Sequence, residues 1–297
     1  VIFVILLYAL FATVFPLCKV AFTYYISPLF FTGCCLVLAG TVLLAYVYAT
    51  DKKSLRLKSE YIKPLAMLIV CNIFLTNVCE RWGLQYLSSV KTAFIYNLSP
   101  FFSAIFSYFL LSEFMTLKKW CGLCVGFLGF IPYFIEKSTT ECGSGSFLCF
   151  SWAELALVTA SISTVIGWIG MRTLVLRGGS CLVGNCVSML VGGCLILVAS
   201  VYTESWNPVP VRDIKHALIY IILTTCISYL IAYTMYGSLL TRYTATFMTM
   251  AGLTSPLFTA LFGRLLLGES VSWTFFFSMI MVGIGLTIFH TQEIKGT

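Results

Sequence analysis

Ser99-Pro100-Phe101-Phe102-Ser103-Ala104-Ile105-Phe106 runs on to Leu110-Leu111-Ser112-Glu113, and Ser255-Pro256-Leu257-Phe258-Thr259-Ala260-Leu261-Phe262 runs on to Leu266-Leu267-Gly268-Glu269. Ser, Pro, the second Phe, Ala, the next Phe, the Leu pair and Glu recur at the same offsets, 156 residues apart, which marks a duplicated unit. Each proline falls in the middle of a long apolar run. It removes its own N–H and crowds the carbonyl four residues back, at Tyr96 and at Gly252. In hydrocarbon a freed carbonyl is tolerated only where protein buries it or a wet cavity receives it. Interrupted spans at matching positions of two halves point to a transporter's substrate site, so Pro100 and Pro256 are read as helix breaks that serve gating. A plain packing kink is the competing reading.

Sixty per cent hydrophobic residues, ten per cent charged and a mean hydropathy of +0.97 exclude a soluble globule, which carries about 25% charged residues. A bilayer span takes about 20 apolar residues. The chain offers ten such runs, at roughly 2–24, 27–49, 63–84, 87–111, 117–136, 150–172, 181–202, 213–236, 241–267 and 272–290. Little sequence lies between them, so no soluble domain is expected. The chain opens at Val1, and a short preceding segment is expected; Pro16 and Lys19 make the first run a retained span and not a signal peptide. The fold class is therefore an all-α integral membrane protein of ten helices, arranged as two five-helix repeats around a central cavity. The repeats are 1–136 and 150–297, joined by a 137–149 linker that contains Gly-Ser-Gly-Ser at 143–146.

The net charge of +7 has a topological cause and does not point to nucleic acid. Eleven Lys and Arg (among them Lys52, Lys53, Arg56, Lys58, Lys118, Arg172, Arg177 and Arg242) fall on one side, and five (Arg81, Lys137, Arg212, Lys215, Arg264) on the other. Lys and Arg favour the cytoplasmic side, so both termini are placed in the cytoplasm and the protein in the cytoplasmic (inner) membrane. With five helices per half, the second copy inserts upside down relative to the first, which is a device for alternating access. Most of the thirteen cysteines sit in apolar runs, where a thiol behaves as a small hydrophobe. Cys142 and Cys149 share the linker, which is able to carry a disulfide if it faces an oxidising compartment.

The paired S-P…E units, the first helix ending in Lys19, and Ser27-Pro28-Leu29 opening the second resemble the EamA-type drug/metabolite transporter superfamily over essentially the whole chain. The resemblance implies a ten-helix inverted-repeat fold and secondary transport of small solutes. One departure stands out. Where such proteins often carry an Arg early in the second helix, this chain has Gly33-Cys34-Cys35. Lys91-Thr92-Ala93-Phe94-Ile95-Tyr96-Asn97-Leu98-Ser99-Pro100 and Phe127-Leu128-Gly129-Phe130-Ile131-Pro132 are similar to the S-adenosylmethionine importers of obligate intracellular bacteria such as chlamydiae. That branch implies import of S-adenosylmethionine in exchange for S-adenosylhomocysteine, with no cofactor.

Ionisable groups within a bilayer cost about 2.5–3.5 kcal/mol each and are functional candidates by default. Asn72, Thr76 and Glu80 follow at i+4 steps on one face of the third helix. Lys91 opens the fourth, whose polar face carries Thr92, Tyr96, Ser99 and Ser103, with Asn97 beside it; in the first helix Tyr8, Phe15 and Lys19 share a side. The second half is aromatic instead, with Trp168 deep in helix 6 and Tyr229, Tyr233 and Tyr236 as a stripe on helix 8. Two readings stand for the charges. Either Lys91 snorkels to the headgroups and Glu80 pairs with it or with Arg81, or these groups face the cavity. In the second reading a substrate carboxylate meets Lys19 or Lys91, its ammonium meets Glu80, adenine stacks on rings and a sulfonium gains cation–π attraction. Glu113 and Glu269 are read as structural, just before the N-caps Thr116 and Ser272. Gly122, Gly126 and Gly129 are read as a close helix contact.

Other function classes find less support. A membrane enzyme lacks a paired-Asp or paired-His metal site, since only Asp51, Asp213, His216 and His290 exist. A channel would need a ring of acidic residues or a carbonyl filter. No phosphate-binding loop is present, so transport runs on gradients or exchange, by a monomer in a lipid bilayer, with a small metabolite as the only partner. A proton-coupled carrier of amino acids or other small amphipathic solutes is the alternative.

Overall fold

The computed structural model describes residues 2–23, 26–55, 58–86, 95–96, 98–111, 115–141, 152–206, 209–211, 213–255, 257–258, 261–262 and 273–296. Lys91, Thr92, Asn97, Glu113, Cys142, Cys149, Pro256, Glu269 and Ser272 lie outside the described residues, as do the side chains of Phe15 and Lys19. Among the described residues the chain is helical, apart from one isolated antiparallel bridge between Ile26 and Val211. The helices are α1 (Ile2–Thr23), α2 (Pro28–Thr50), α3 (Ser59–Gly83), α4 (Ser99–Leu111), α5 (Leu117–Glu141), α6 (Trp152–Leu176), α7 (Cys181–Thr203), α8 (Ile214–Leu239), α9 (Ala245–Ala251) and α10 (Trp273–Gly296). Within the described residues, α2, α3, α6, α7, α8 and the Trp273–Thr291 part of α10 are long and apolar enough to cross a membrane.

Helix starts follow local chemistry. Asp213 caps α8 by accepting from the N–H groups of Lys215 and His216, Thr244 caps α9 through Phe247 N–H, and the Thr116 hydroxyl accepts from Lys119 N–H at α5. Gly178, at φ +79°, ends α6 in the left-handed conformation that costs glycine nothing. The packing is that of a membrane bundle. On α7, Val191, Leu195 and Val198 form an exposed apolar stripe, while Ser188, Gly192, Gly193 and Ser200 face inward.

Two pairings organise the bundle. α2 lies against α7 and α5 against α10, and each pair runs antiparallel: Gly33 faces Leu197 while Gly40 faces Leu190, and Gly122 faces Gly285 to Phe289 while Gly129 faces Met281. At the centre of the second pair the backbones nearly touch, because a Cβ on Gly285 would stand 2.6 Å from the Gly122 carbonyl oxygen and 2.7 Å from the Gly126 nitrogen. Thr274 adds a hydroxyl bond to the Glu136 carboxylate. Between these pairs, α3 packs on α6 and α7, α8 on α1 and α2, and α4 on α6 and α9.

Three spans depart from the α-helix. Leu68–Leu75 in α3 and Thr225–Ala232 in α8 are π-helical, an offset of 157 residues that nearly equals the sequence repeat. α9 tightens into a 3-10 turn at Gly252–Thr254, one turn before Pro256, and α4 starts at Ser99 with Pro100 in its first turn. Three expectations are corrected. Arg81, read as a loop residue, is buried in the last turn of α3. α6 continues to Leu176, so Arg172 lies within it; its guanidinium donates to the carbonyls of Leu240 (2.8 Å) and Tyr243 (2.5 Å), satisfying orphan acceptors where α8 ends. α5 extends to Glu141, beyond the expected end at 136.

The α5–α10 contact gives a matched test. Gly285→Val forces methyls into the Gly122 backbone and is expected to cost about 1–3 kcal/mol, whereas Gly283→Ala, with nothing within 4 Å of its added Cβ, leaves stability unchanged. Melting of the detergent-solubilised protein checks both. The α8 cap adds a pH test. The backbone N–H and ring of His216 hold the Asp213 carboxyl below the usual carboxylate range, so its contribution is complete at neutral pH and disappears as pH falls through that lowered pKa. Asp213→Asn should flatten the acid limb of the melting profile.

Candidate functional site

The last turn of α3 places two consecutive ionisable residues in the apolar bundle. Glu80 Oε1 stands 3.2 Å from a terminal nitrogen of Arg81, with the side chains 13% and 6% exposed, respectively. Tyr96, in the turn that precedes α4, donates its hydroxyl to Glu80 Oε2 at 2.7 Å. Both carboxylate oxygens are therefore engaged. Arg81 is not saturated: its Nε is buried with no hydrogen-bond partner among the described residues. Cys18 of α1 and Tyr229 of α8 lie beside the guanidinium, and Tyr233 lies within electrostatic reach of Glu80.

Aromatic rings form a connected cluster whose Tyr229 and Tyr233 lie within electrostatic reach of this pair. Trp168 of α6 stacks on Tyr236 with centroids 3.8 Å apart and planes 23° from parallel, and it stands 5.1 Å from Tyr233. Tyr229 is 5.4 Å from Tyr233. From α1, Phe11 meets Tyr233 edge-on at 5.8 Å and Tyr8 meets Tyr236 at 6.5 Å. The Tyr8 hydroxyl donates to the carbonyl of Met248. The reason lies in α9: at Gly252 the helix tightens, its N–H turns to Thr249 and Met250, and the Met248 carbonyl loses its α-helical donor. Tyr8 supplies one from another helix, which is how a broken span is kept satisfied in hydrocarbon. One turn along α8 from this layer, a cavity of about 510 Å³ opens, lined by Phe3, Val175, Gly179, Cys181, Met235, Ser238, Leu239, Thr241 and Arg242. Sites for small metabolites typically measure about 300–1,000 Å³.

The structure brings together Tyr8, Glu80, Tyr96, Trp168, Tyr229 and Tyr233 of the residues singled out in sequence. It does not bring Thr76 to them: that hydroxyl bonds Thr164 Oγ1 (3.0 Å) and the Cys71 and Ala160 carbonyls (2.8 and 3.3 Å) at the α3–α6 seam. Asn72 is fully buried at the same seam, against the Gly167 backbone, and its amide has no partner among the described residues. Ser99 is half-buried at the start of α4. Lys91, Asn97 and Pro256, with the side chains of Phe15 and Lys19, lie outside the described residues. Arg81, named in sequence as one possible partner of Glu80, is that partner; Phe11 and Cys18 join the site although sequence reasoning passed over them, and Tyr236 takes a larger part in it than a stripe position alone suggested. Phe11 follows Tyr8 at i+3, a signal that was available. Among the described residues no group of three or more His, Cys, Asp or Glu side chains is arranged to hold a metal.

The profile of the EamA-like transporter family matches residues 1–134 and 151–291. The chain belongs to this family. It is a multi-pass membrane protein of a transporter family, not one of enzymes. The S-adenosylmethionine/S-adenosylhomocysteine transporter of Chlamydia trachomatis serovar L2 is 36% identical over 271 residues, covering 91% of this chain and 82% of that protein. The protein of the same description from Chlamydia muridarum is 35% identical over 91% of this chain and 85% of its own length. A Bacillus subtilis relative, the uncharacterized transporter YoaV, is 23% identical over 88% of this chain and 86% of its own length. A crystal structure with 14% sequence identity superposes with a TM-score of 0.79 over 99% of this chain and 96% of that one, a likeness of fold.

The ion pair gives this subsection its test. Arg81→Gln takes from Glu80 its cation among the described residues and is expected to destabilise by about 3–5 kcal/mol, while the double variant Glu80→Gln/Arg81→Gln recovers most of that loss. Melting of the four proteins of this cycle, read as coupling, checks it.

Proposed function

We propose that this chain is a secondary transporter of the cytoplasmic membrane that imports S-adenosylmethionine in exchange for S-adenosylhomocysteine. The observation that carries the reading is a buried carboxylate and guanidinium with a tyrosine–tryptophan cluster in electrostatic reach through Tyr229 and Tyr233, in a chain 36% identical over 91% of its length to a transporter described by that substrate pair. S-adenosylmethionine carries an ammonium, a carboxylate, a sulfonium and an adenine. The ammonium suits Glu80, the adenine and the sulfonium suit ring faces, and the cavity beyond Tyr236 suits a vestibule. Lys19 and Lys91, on the first and fourth spans, remain candidates for the entry path.

The architecture in this reading is two inverted five-helix repeats, residues 1–136 and 150–297 with a 137–149 linker. Adding five to each helix number carries the packing pattern onto itself: α2–α7 and α5–α10 pair with their own counterparts, α3–α6 maps onto α8–α1, α3–α7 onto α8–α2, and α4–α6 onto α9–α1. The self-paired helices run antiparallel, which suits inversion and not a parallel repeat. The 157-residue offset of the two π segments sets Asn72, Thr76 and Cys79 of α3 against Tyr229, Tyr233 and Tyr236 of α8. The repeat is polar at these positions in the first half, where Asn72 and Thr76 serve the α3–α6 seam, and aromatic in the second, where the tyrosines join the ring cluster. With Arg172 and Arg81 removed from the loop counts of eleven and five, ten basic residues face four, a bias that supports cytoplasmic termini. The vestibule beside Arg242 then opens inward. A monomer in the bilayer contains every element of this site.

Exchange has an electrical consequence. S-adenosylmethionine has a net charge of +1 and S-adenosylhomocysteine none, so each import cycle moves one positive charge inward. An interior-negative potential contributes about 2.3 kcal/mol per charge per 100 mV. Proteoliposomes preloaded with S-adenosylhomocysteine should take up labelled S-adenosylmethionine faster than empty ones, and faster again when valinomycin and a potassium gradient make the lumen negative. Uptake indifferent to preloading would contradict exchange, and no uptake by folded protein would contradict the substrate.

A further inference from the structure

We infer that the Glu80–Arg81 pair is the receptor for an α-amino-acid zwitterion: the ligand's ammonium takes the place of Arg81 on Glu80, and its carboxylate takes the place of Glu80 on Arg81. The inference rests on the transport reading above and deepens it by naming what the ionic part of the site recognises and which residue holds the carboxylate.

The geometry of Arg81 carries the argument. A guanidinium presents its N–H groups as a rigid fork, and two adjacent ones match the two oxygens of a carboxylate. Arg81 meets Glu80 through one terminal nitrogen at 3.2 Å, while its Nε is buried and bonded to nothing among the described residues. A donor left unsatisfied at 6% exposure costs stability that a saturated arginine would not lose. The Nε edge is therefore an unsatisfied donor, and a planar anion would supply the acceptor that the described residues do not. Glu80 is the complement, since Tyr96 holds Oε2 at 2.7 Å and leaves Oε1 as the oxygen that exchanges Arg81 for an ammonium.

Charge conservation makes the receptor selective. A buried pair with one partner removed leaves an uncompensated charge, which a low-dielectric site tolerates poorly. A zwitterion enters with both charges and leaves each protein group compensated. A head that carries only an ammonium pairs with Glu80 and strands Arg81. The penalty on the wrong ligand is thus built from the pair itself. The amino-acid head is also what S-adenosylmethionine and S-adenosylhomocysteine share, so one receptor serves both limbs of an exchange, and the ring faces are left to read adenine and sulfonium.

The test uses reconstituted full-length protein and labelled S-adenosylhomocysteine, with three unlabelled competitors: S-adenosylmethionine, its decarboxylated form and 5′-methylthioadenosine, which lacks the whole head. Wild type should admit S-adenosylmethionine at least about tenfold more tightly than either truncated competitor, as expected for charged hydrogen bonds. Arg81→Lys keeps the charge and loses the fork, so the preference for the carboxylate should shrink while the protein melts near the wild-type temperature. In Glu80→Gln/Arg81→Gln, confirmed as folded by size exclusion and melting, the three competitors should become equivalent. A double variant that retains the wild-type ratio overturns this inference and leaves the transport reading standing. Wild-type protein that is folded and binds neither adenosyl compound overturns both.

Discussion

A guanidinium and a carboxylate sit next to one another inside a bundle whose surroundings are apolar, and much of the arrangement around them answers that constraint. A single charge in the middle of a span costs about 2.5–3.5 kcal/mol on insertion scales. Pairing Glu80 with Arg81 cancels the net charge, and Tyr96 satisfies the remaining carboxylate oxygen. Tyr229 and Tyr233 lie within electrostatic reach of the pair and join Trp168 and Tyr236 in an uncharged ring cluster. The result is a charge-balanced polar pair beside uncharged rings, with the Arg81 Nε unpartnered among the described residues.

The same constraint explains the irregular spans. Helices that surround such a pair offer side chains and carbonyls in directions a straight α-helix does not. α3 and α8 each carry one π segment, and α9 tightens before Pro256 and gives its freed Met248 carbonyl to Tyr8. These three irregular spans pack against one another or against α1 and α6, and α1 and α6 supply the other rings of the site. The two regular antiparallel pairs, α2–α7 and α5–α10, flank them as a frame. Interruption is confined to the helices that meet the substrate in the proposed cycle, while the frame is built on close backbone contact such as that of Gly122 with Gly285.

Much of the fold was legible because its signals are local. Ten apolar runs, the repeated Ser-Pro…Glu unit and the small residues of α5 each act over a few turns, and the helices stand close to where those runs lie. The site was legible in part. The tyrosine stripe on α8 and Glu80 on α3 stand out in the sequence as residues within apolar spans, and the structure buries most of their surface. The facing of Thr76 was not legible, because an i→i+5 turn holds one residue more than an α turn and rotates the next residues by about 100° from the α extrapolation. The π segment at Leu68–Leu75 therefore turns Thr76 into α6, and no local residue pattern announces it. Arg81 was legible as a partner of Glu80 but not as an interior group. At the end of an apolar run an arginine reads as a headgroup anchor, and its burial beside Glu80 comes from tertiary packing that the run does not announce.

The most direct measurement is an experimental structure of the protein in a lipid nanodisc with S-adenosylhomocysteine bound. The account predicts ligand density between α3 and α8, with the amino-acid head inserted between Glu80 and Arg81, the 3.2 Å contact opened, and adenine against the Trp168–Tyr236 faces. Ligand seated elsewhere, with that ion pair intact, would contradict it.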